Sequence, residues 1–202
     1  MKTDENKPQQ ISGGLEALIQ RAGGLGGGKP PVHLWNPPHC GAIDMRIAAD
    51  GLWYYMGTPI RREALVRLFA SVLRKDDDEY VLVTPVEKVG IIVEDAPFVA
   101  VEMQMTNENG VQILTLRTNV GDVVTVGNDH PLRFEDEKDT DGLKPYVLVR
   151  DRLEAKLARP LLYELADIGV IENLEDGSYF GVWSAGSFYP MVPENAIAEF
   201  ME

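Results

Sequence analysis

One cysteine in 202 residues, Cys40, leaves an internal disulfide without a second sulfur. That scarcity suits a reducing cytoplasm and excludes the small disulfide-stapled scaffolds. Long apolar runs are missing too: Ile91-Ile92-Val93 and Val147-Leu148-Val149 are typical, whereas a membrane-spanning helix needs roughly 20 apolar residues in succession. The opening stretch MKTDENKPQQ is acidic in part and lacks a following apolar core, so no signal peptide is expected. Basic residues are in short supply, 19 against 32 acidic ones, for a net charge of −13. Such a surface repels phosphate backbones and anionic lipid at long range, so neither bulk nucleic acid nor a membrane is an expected partner. A small anion needs a local basic pocket.

Histidine is equally sparse, three in all. His33, His39 and Cys40 share a Pro-rich loop but leave a zinc site one ligand short. A free cysteine is usually a small buried hydrophobe, so no metal and no catalytic role is expected there. Other motifs stop short of completion. Gly23 to Lys29 spells the phosphate-loop pattern, yet a helix precedes it and Pro30-Pro31 follows, where the motif needs a strand, then a helix with Ser or Thr. Glu137, Asp139, Asp141 and Gly142 resemble the front of a calcium loop, but Leu148 stands where the bidentate Glu belongs. Val182-Trp183-Ser184-Ala185-Gly186 lacks the first glycine of a nucleophile elbow and reads as hairpin. No cofactor and no catalytic residue emerges from these fragments.

What the chain does contain, 45% hydrophobic and 25% charged residues, is the balance of a folded protein. Residues 1–10 are polar and expected to be mobile. A short helix around Leu15, Leu18 and Ile19 ends at Gly23-Gly24, and a Gly-rich linker follows. Asp50-Gly51 and Asn109-Gly110 mark hairpins, the second joining 98–106 to 111–118. Asp176-Gly177 marks a third. Thr58-Pro59 carries the signature of a helix start, with Leu65, Leu68, Phe69, Val72 and Leu73 as its apolar stripe and the acidic turn 76–79 at its end. Asp151 and Glu154 predict a second helix start, with Leu153, Leu157, Leu161 and Leu165 buried and Pro160 kinking it. A last short helix is expected after Pro193.

The order of parts recurs. Met45-Arg46-Ile47, Asp50-Gly51, Ile60-Arg61, a helix and a strand pair are echoed by Leu132-Arg133-Phe134, Asp141-Gly142, Val149-Arg150, a helix and another hairpin. The expected class is α+β with two similar halves, each a small, mainly antiparallel sheet with one packed helix. The corresponding domains are 1–33 (tail, helix and linker), 34–95 and 96–202.

Charge placement at the two helix starts stands out. A helix N-terminus favours acidic residues, yet Arg61-Arg62 open the first helix, and Arg150 and Arg152 flank the second. Amides and guanidinium groups together suit phosphate or carboxylate. The alternative is that these arginines simply pair with Glu63, Asp151 or Glu154.

Three blocks, Trp35-x-Pro37-x-x-Cys40-Gly41, IAADGLWYYMGTPIRREALVRLFASVLRK and VLVTPVEKVGIIVEDAPF, resemble the bacterial domain-of-unknown-function family DUF1285. The later NDHPLRF and PYVLVRDRLEAKLARPLLYEL are similar to its second half, so the likeness spans roughly 34–192. It implies a duplicated α+β core, a second half loosely like pleckstrin-homology folds, and a ligand held between the halves. A nucleotide-like ligand and a signalling role are also implied, without an established activity, and the resemblance carries over no catalytic residues. The expected ligand set is Trp53, Arg61, Arg62, Thr84, Glu87 and Lys88, with Arg117 or Arg150 from the second half. Trp53 would stack and the basic groups would hold phosphate. The alternatives are an enzyme with Glu87 as general base, or a protein-interaction module using a sheet edge or the helix at 193–201.

Overall fold

The computed structural model describes residues 14–23, 30–137 and 142–197. The expectations for the first ten residues, for most of the Gly-rich segment, for Asp139 and Asp141, and for the end of the last helix lie outside these described residues. The chain divides into two compact units, Met1–Glu94 and Asp95–Glu202.

Unit 1 contains helix α1 (Gly14–Gly23) and strands β1 (His39–Ile47), β2 (Trp53–Tyr55) and β3 (Thr58–Pro59). Helix α2 (Glu63–Ser71) follows, then β4 (Leu73–Asp76), β5 (Glu79–Val83) and β6 (Lys88–Val93). The six strands form one sheet in the order β3-β2-β1-β6-β5-β4. β1–β3 and β4–β6 are antiparallel meanders, and the parallel pair β1/β6 joins them. Thr58-Pro59 does not open a helix. Met56 and Gly57 both take positive φ, 47° and 73°, which closes a two-residue hairpin and commits Thr58 and Pro59 to β3. The helix starts four residues later, at Glu63. Its stripe ends sooner than expected as well: Val72 is the C-cap and Leu73 already belongs to β4, so the acidic turn joins two strands. Met45, Ile47, Trp53, Phe69 and Leu82 are buried in the core of this unit.

Unit 2 opens with β7 (Phe98–Glu108), β8 (Val111–Thr118) and β9 (Val123–Thr125). Then come β10 (Leu132–Glu137), β11 (Gly142–Arg150) and β12 (Leu153–Leu157), helix α3 (Arg159–Asp167), and β13 (Val170–Leu174), β14 (Gly177–Ser184) and β15 (Ser187–Pro193). One sheet runs β10-β11-β12-β7-β8-β9, with β12 and β7 parallel, and a second runs β13-β14-β15. Both large sheets are therefore mixed, and α2 and α3 are each only nine residues long.

The expected helix start at Asp151 is instead a turn leading into a strand. Leu153, Ala155 and Leu157 are all buried and alternate along β12. Leucines four apart fit a period of two as well as a helical turn, and buried Ala155 decides between them. Pro160 lies in the first turn of α3, where its missing N–H costs nothing, so it starts the helix rather than kinking it. Leu161 and Leu165 form the buried face of α3. Behind it, a Cβ on Gly181 would come within 2.3 Å of the Tyr189 carbonyl, so glycine permits the close approach of β14 and β15.

A sequence of three strands, a helix and three strands occurs twice: β1–β3, α2, β4–β6 and β10–β12, α3, β13–β15. The pairing differs. In unit 1 the two meanders share a sheet through β1/β6, whereas in unit 2 β15 approaches β10 without joining it and β12 pairs with β7.

Candidate functional site

The Thr84-to-Lys88 turn between β5 and β6 is fastened from within. The Thr84 N–H donates to the Glu87 carbonyl at 2.9 Å, and the Glu87 N–H donates to Thr84 Oγ1 at 3.2 Å. Thr84 is fully buried, so its hydroxyl closes the turn and does not face a ligand. Glu87 is nearly buried and its carboxylate accepts from Arg21 of α1. Lys88 reaches across the sheet, its Nζ donating to Asp76 Oδ2 at 2.6 Å.

Asp76 is the centre of a cluster that sequence reasoning missed. Arg74 Nε and Nη2 donate to its two oxygens at 2.6 and 2.8 Å, while Arg74 Nη1 donates to the carbonyls of Val32 and Trp35, both at 2.7 Å. The guanidinium thereby ties the segment before β1 to the sheet. The Arg74 hydrogen bonds, opposed by burial and aided by Lys88, lower the Asp76 pKa from 3.8 to about 2. A folded-state pKa below the unfolded one gives stability that is complete above the unfolded value and is lost as pH falls through the folded one. The gap corresponds to roughly 2 kcal/mol. Urea unfolding of wild type and Asp76→Asn, followed from about pH 5 to pH 2, should show the wild-type advantage shrinking by roughly that amount.

Arg61 and Arg62 lie between β3 and α2, exposed, and make no ion pair among the described residues. Glu63, the alternative partner, instead holds Arg67 at 3.3 Å. Arg62 occupies the N-cap in an extended conformation, and no side chain caps the first-turn amides. The two arginines thus precede the first turn rather than lying within it.

The second pair does not mark a helix start. Arg150 ends β11 and Arg152 sits in the turn before β12. Arg150 pairs with Asp122 and lies over the Phe98 ring, 4.7 Å from its centre. Arg117 grips both oxygens of Glu102, with Nε donating at 2.7 Å. Trp53 offers no open stacking face. It is 1% exposed and lies against Phe69, with ring centres 6.2 Å apart and planes at 23°. Its Nε1–H has no hydrogen-bond partner among the described residues. Of the eight expected ligand residues, only Arg61 and Arg62 are both exposed and uncommitted among the described residues.

A second unexpected cluster lies in unit 2. Asp95 accepts from Tyr146 Oη at 2.7 Å and Lys156 Nζ at 2.8 Å. Arg133 stacks on the Tyr146 ring at 4.3 Å and donates to both oxygens of Glu154 at 2.6 Å. Burial, then the Asp95 carboxylate, pushes the Tyr146 phenol well above its ordinary value. The alternation of β11 and β12 would have placed Tyr146 and Lys156 on one face, but nothing local points to Asp95.

Cys40 is exposed rather than buried, with Sγ 3.7 Å from the Pro38 carbonyl. His39 turns to Glu79 at 3.3 Å, and no cluster of metal-ligating side chains occurs among the described residues. Ser184 is a structural clasp: its hydroxyl donates to the Val126 carbonyl at 2.7 Å and accepts from the Leu114 N–H at 3.0 Å. No described helix is long and apolar enough to cross a membrane.

Two family models match the chain. One is the N-terminal domain of a domain of unknown function (DUF1285), over residues 30–96. The other is the C-terminal domain of a protein of unknown function (DUF1285), over 97–191. A crystal structure of a DUF1285 family protein from Silicibacter pomeroyi is similar at 48% identity and a TM-score of 0.81, covering 90% of this chain and 97% of that one. A second, from Shewanella baltica, shares 32% identity with a TM-score of 0.48, covering 60% of this chain and 89% of that one. No curated protein matches.

Proposed function

Because this chain belongs to the DUF1285 family and carries its N- and C-terminal domains in order, we propose that it is a regulatory protein that binds a small anionic, nucleotide-like molecule. The anion is held at the start of α2 by Arg61 and Arg62. The observation that carries this reading is that both guanidinium groups stand exposed and unpaired among the described residues, beside first-turn amides that no side chain caps. Anions gain from both sources of positive charge at such a place. Glu63 answers the helix dipole but turns its carboxylate to Arg67. Binding is favoured over turnover because Glu87, the candidate general base, is already held by Arg21. A net charge of −13 supports a small ligand over nucleic acid or an anionic membrane. A signal-transduction role in the cytoplasm, with a protein partner, belongs to the same reading. The recurring order of strands and helix supports a duplicated core, and the strands β7–β12 followed by α3 support a loose pleckstrin-homology likeness for unit 2.

A thermal-shift panel of phosphate, sulfate and nucleotides tests the proposal. A ligand at a hundredfold its dissociation constant adds about 2.7 kcal/mol, so wild type should melt about 5 °C or more higher. Arg61→Ala with Arg62→Ala should abolish the gain and leave the ligand-free protein at least as stable. A flat wild-type panel, or a double variant that still responds, removes the reading.

A further inference from the structure

Among the described residues, the outer edge of β7 is open for most of its length. β7 pairs with β12 only through Phe98, Val99 and Ala100. β12 ends at Leu157, and a bulge in the β7/β8 pairing falls between Ala100 and Glu102. From Val101 to Glu108 the strand is paired on the β8 side, and among the described residues no further backbone hydrogen bond reaches it. Seven of these eight residues are exposed and Met103 is half-buried. The far edge of β8 is closed by contrast. β9 pairs with Thr115, Leu116 and Arg117, the Ala185 N–H donates to the Gln112 carbonyl at 2.9 Å, and Ser184 takes the Leu114 N–H. Open edges ordinarily carry lysine, proline or an inward charge that discourages pairing. Between Glu102 and Thr106 the only charge is Glu102, and Arg117 neutralises it.

We propose that this edge pairs with the same edge of a second copy of the chain, β7 against β7, antiparallel about a two-fold axis at Gln104. The segment Met103-Gln104-Met105 is a palindrome about that residue. The axis sets Gln104 against Gln104 of the second copy, and Met103 against Met105 of the second copy. Met105 is 53% exposed, and its cross-strand neighbour Leu114 is buried, so the contact extends an apolar strip that already exists. Glu102 then faces Thr106 of the second copy, and no like charges stand opposite one another. A basic peptide is the poorer occupant, because the carboxylate that would recruit it is already taken by Arg117. Each copy carries a net charge of −13, so the long-range repulsion between copies is screened by salt and pairing strengthens as salt rises. The inference is independent of the anion site.

Sedimentation equilibrium of the full chain from about 1 to about 300 µM should show a reversible dimer with a micromolar dissociation constant. Gln104→Lys or Gln104→Glu alone places like charges on the axis and should weaken it at least about tenfold. Mixing the two variants should restore association. Wild type that stays monomeric over that range, a single variant that associates like wild type, or a mixture no better than its components overturns the proposal. Hydrogen exchange on wild type tests the same pairing without substitution. Amides within 102–106 should slow as concentration rises, and exchange that is independent of concentration overturns it.

Discussion

Trp53→Ala should cost about 4 kcal/mol of folding stability, the largest effect expected of any single side chain in unit 1. The indole is 1% exposed and Phe69, on which it lies, is fully buried. Truncation removes the transfer energy of a large aromatic and leaves a cavity that α2 and the sheet can only partly close. One term runs the other way. The Trp53 N–H is buried with no acceptor among the described residues, and an unmade hydrogen bond of that kind costs roughly 1–3 kcal/mol. Trp53→Phe, which deletes the N–H and keeps one ring, should therefore cost far less than the alanine change. Urea midpoints for the two variants check the ranking. A Trp53 that served as a ligand platform would behave otherwise, with alanine leaving the ligand-free protein nearly intact and removing the ligand response.

Asp95→Ala should cost about 3 kcal/mol, because it strands a lysine and a phenol that share one largely buried carboxylate. Burial raises the Asp95 pKa, but the bonds from Lys156 and Tyr146 outweigh it and the net shift is downward. By linkage, its contribution is complete above the ordinary carboxylate range and is lost on acidification below it. Asp95→Asn keeps an acceptor for Tyr146 and should cost less than alanine. Tyr146→Phe removes one arm only. A cycle of Asp95→Ala and Tyr146→Phe should give a coupling of about 1 kcal/mol or more, whereas additive costs would mean that the two groups act separately.

Turns were the most legible part of the fold. Asn109-Gly110 takes positive φ at both positions and joins β7 to β8, as that pair of residues implies. Helix starts were less legible because two local signals competed at each. Thr58-Pro59 is a good cap and first-turn pair, but Met56-Gly57 just upstream forms a hairpin turn that takes both residues into β3. Leu153, Leu157, Leu161 and Leu165 keep one spacing across a strand and a helix, so only the burial of Ala155 and the position of Pro160 divide them.

Of the candidate residues, the charges that stay alone could be picked out in the sequence, and those that meet a partner could not. Arg61 and Arg62 stand out in the sequence, and they remain uncommitted among the described residues. Arg74, Asp76 and Lys88 become partners only because β4 and β6 share a sheet, and no spacing along the chain announces that. Trp53 sits in a run of three aromatics in which alternation alone decides which ring is buried. In the sequence alone, a stacking face and a core anchor look identical.

The parallel pairing of β1 with β6 also has a consequence for synthesis. His39 finds Lys88, and Ile47 finds Val93, so the sheet of unit 1 cannot be closed by neighbours along the chain. As the polypeptide leaves the ribosome, β1–β3 can form their meander early, yet the inner edge of β1 stays unpaired until β6 follows. At about 5–20 residues per second that interval lasts a few seconds. Throughout it, the nascent chain displays a free strand edge beside an unfinished apolar core. Translation halted within α2 or β5 would prolong that exposure, so a pause in this stretch favours aggregation over folding.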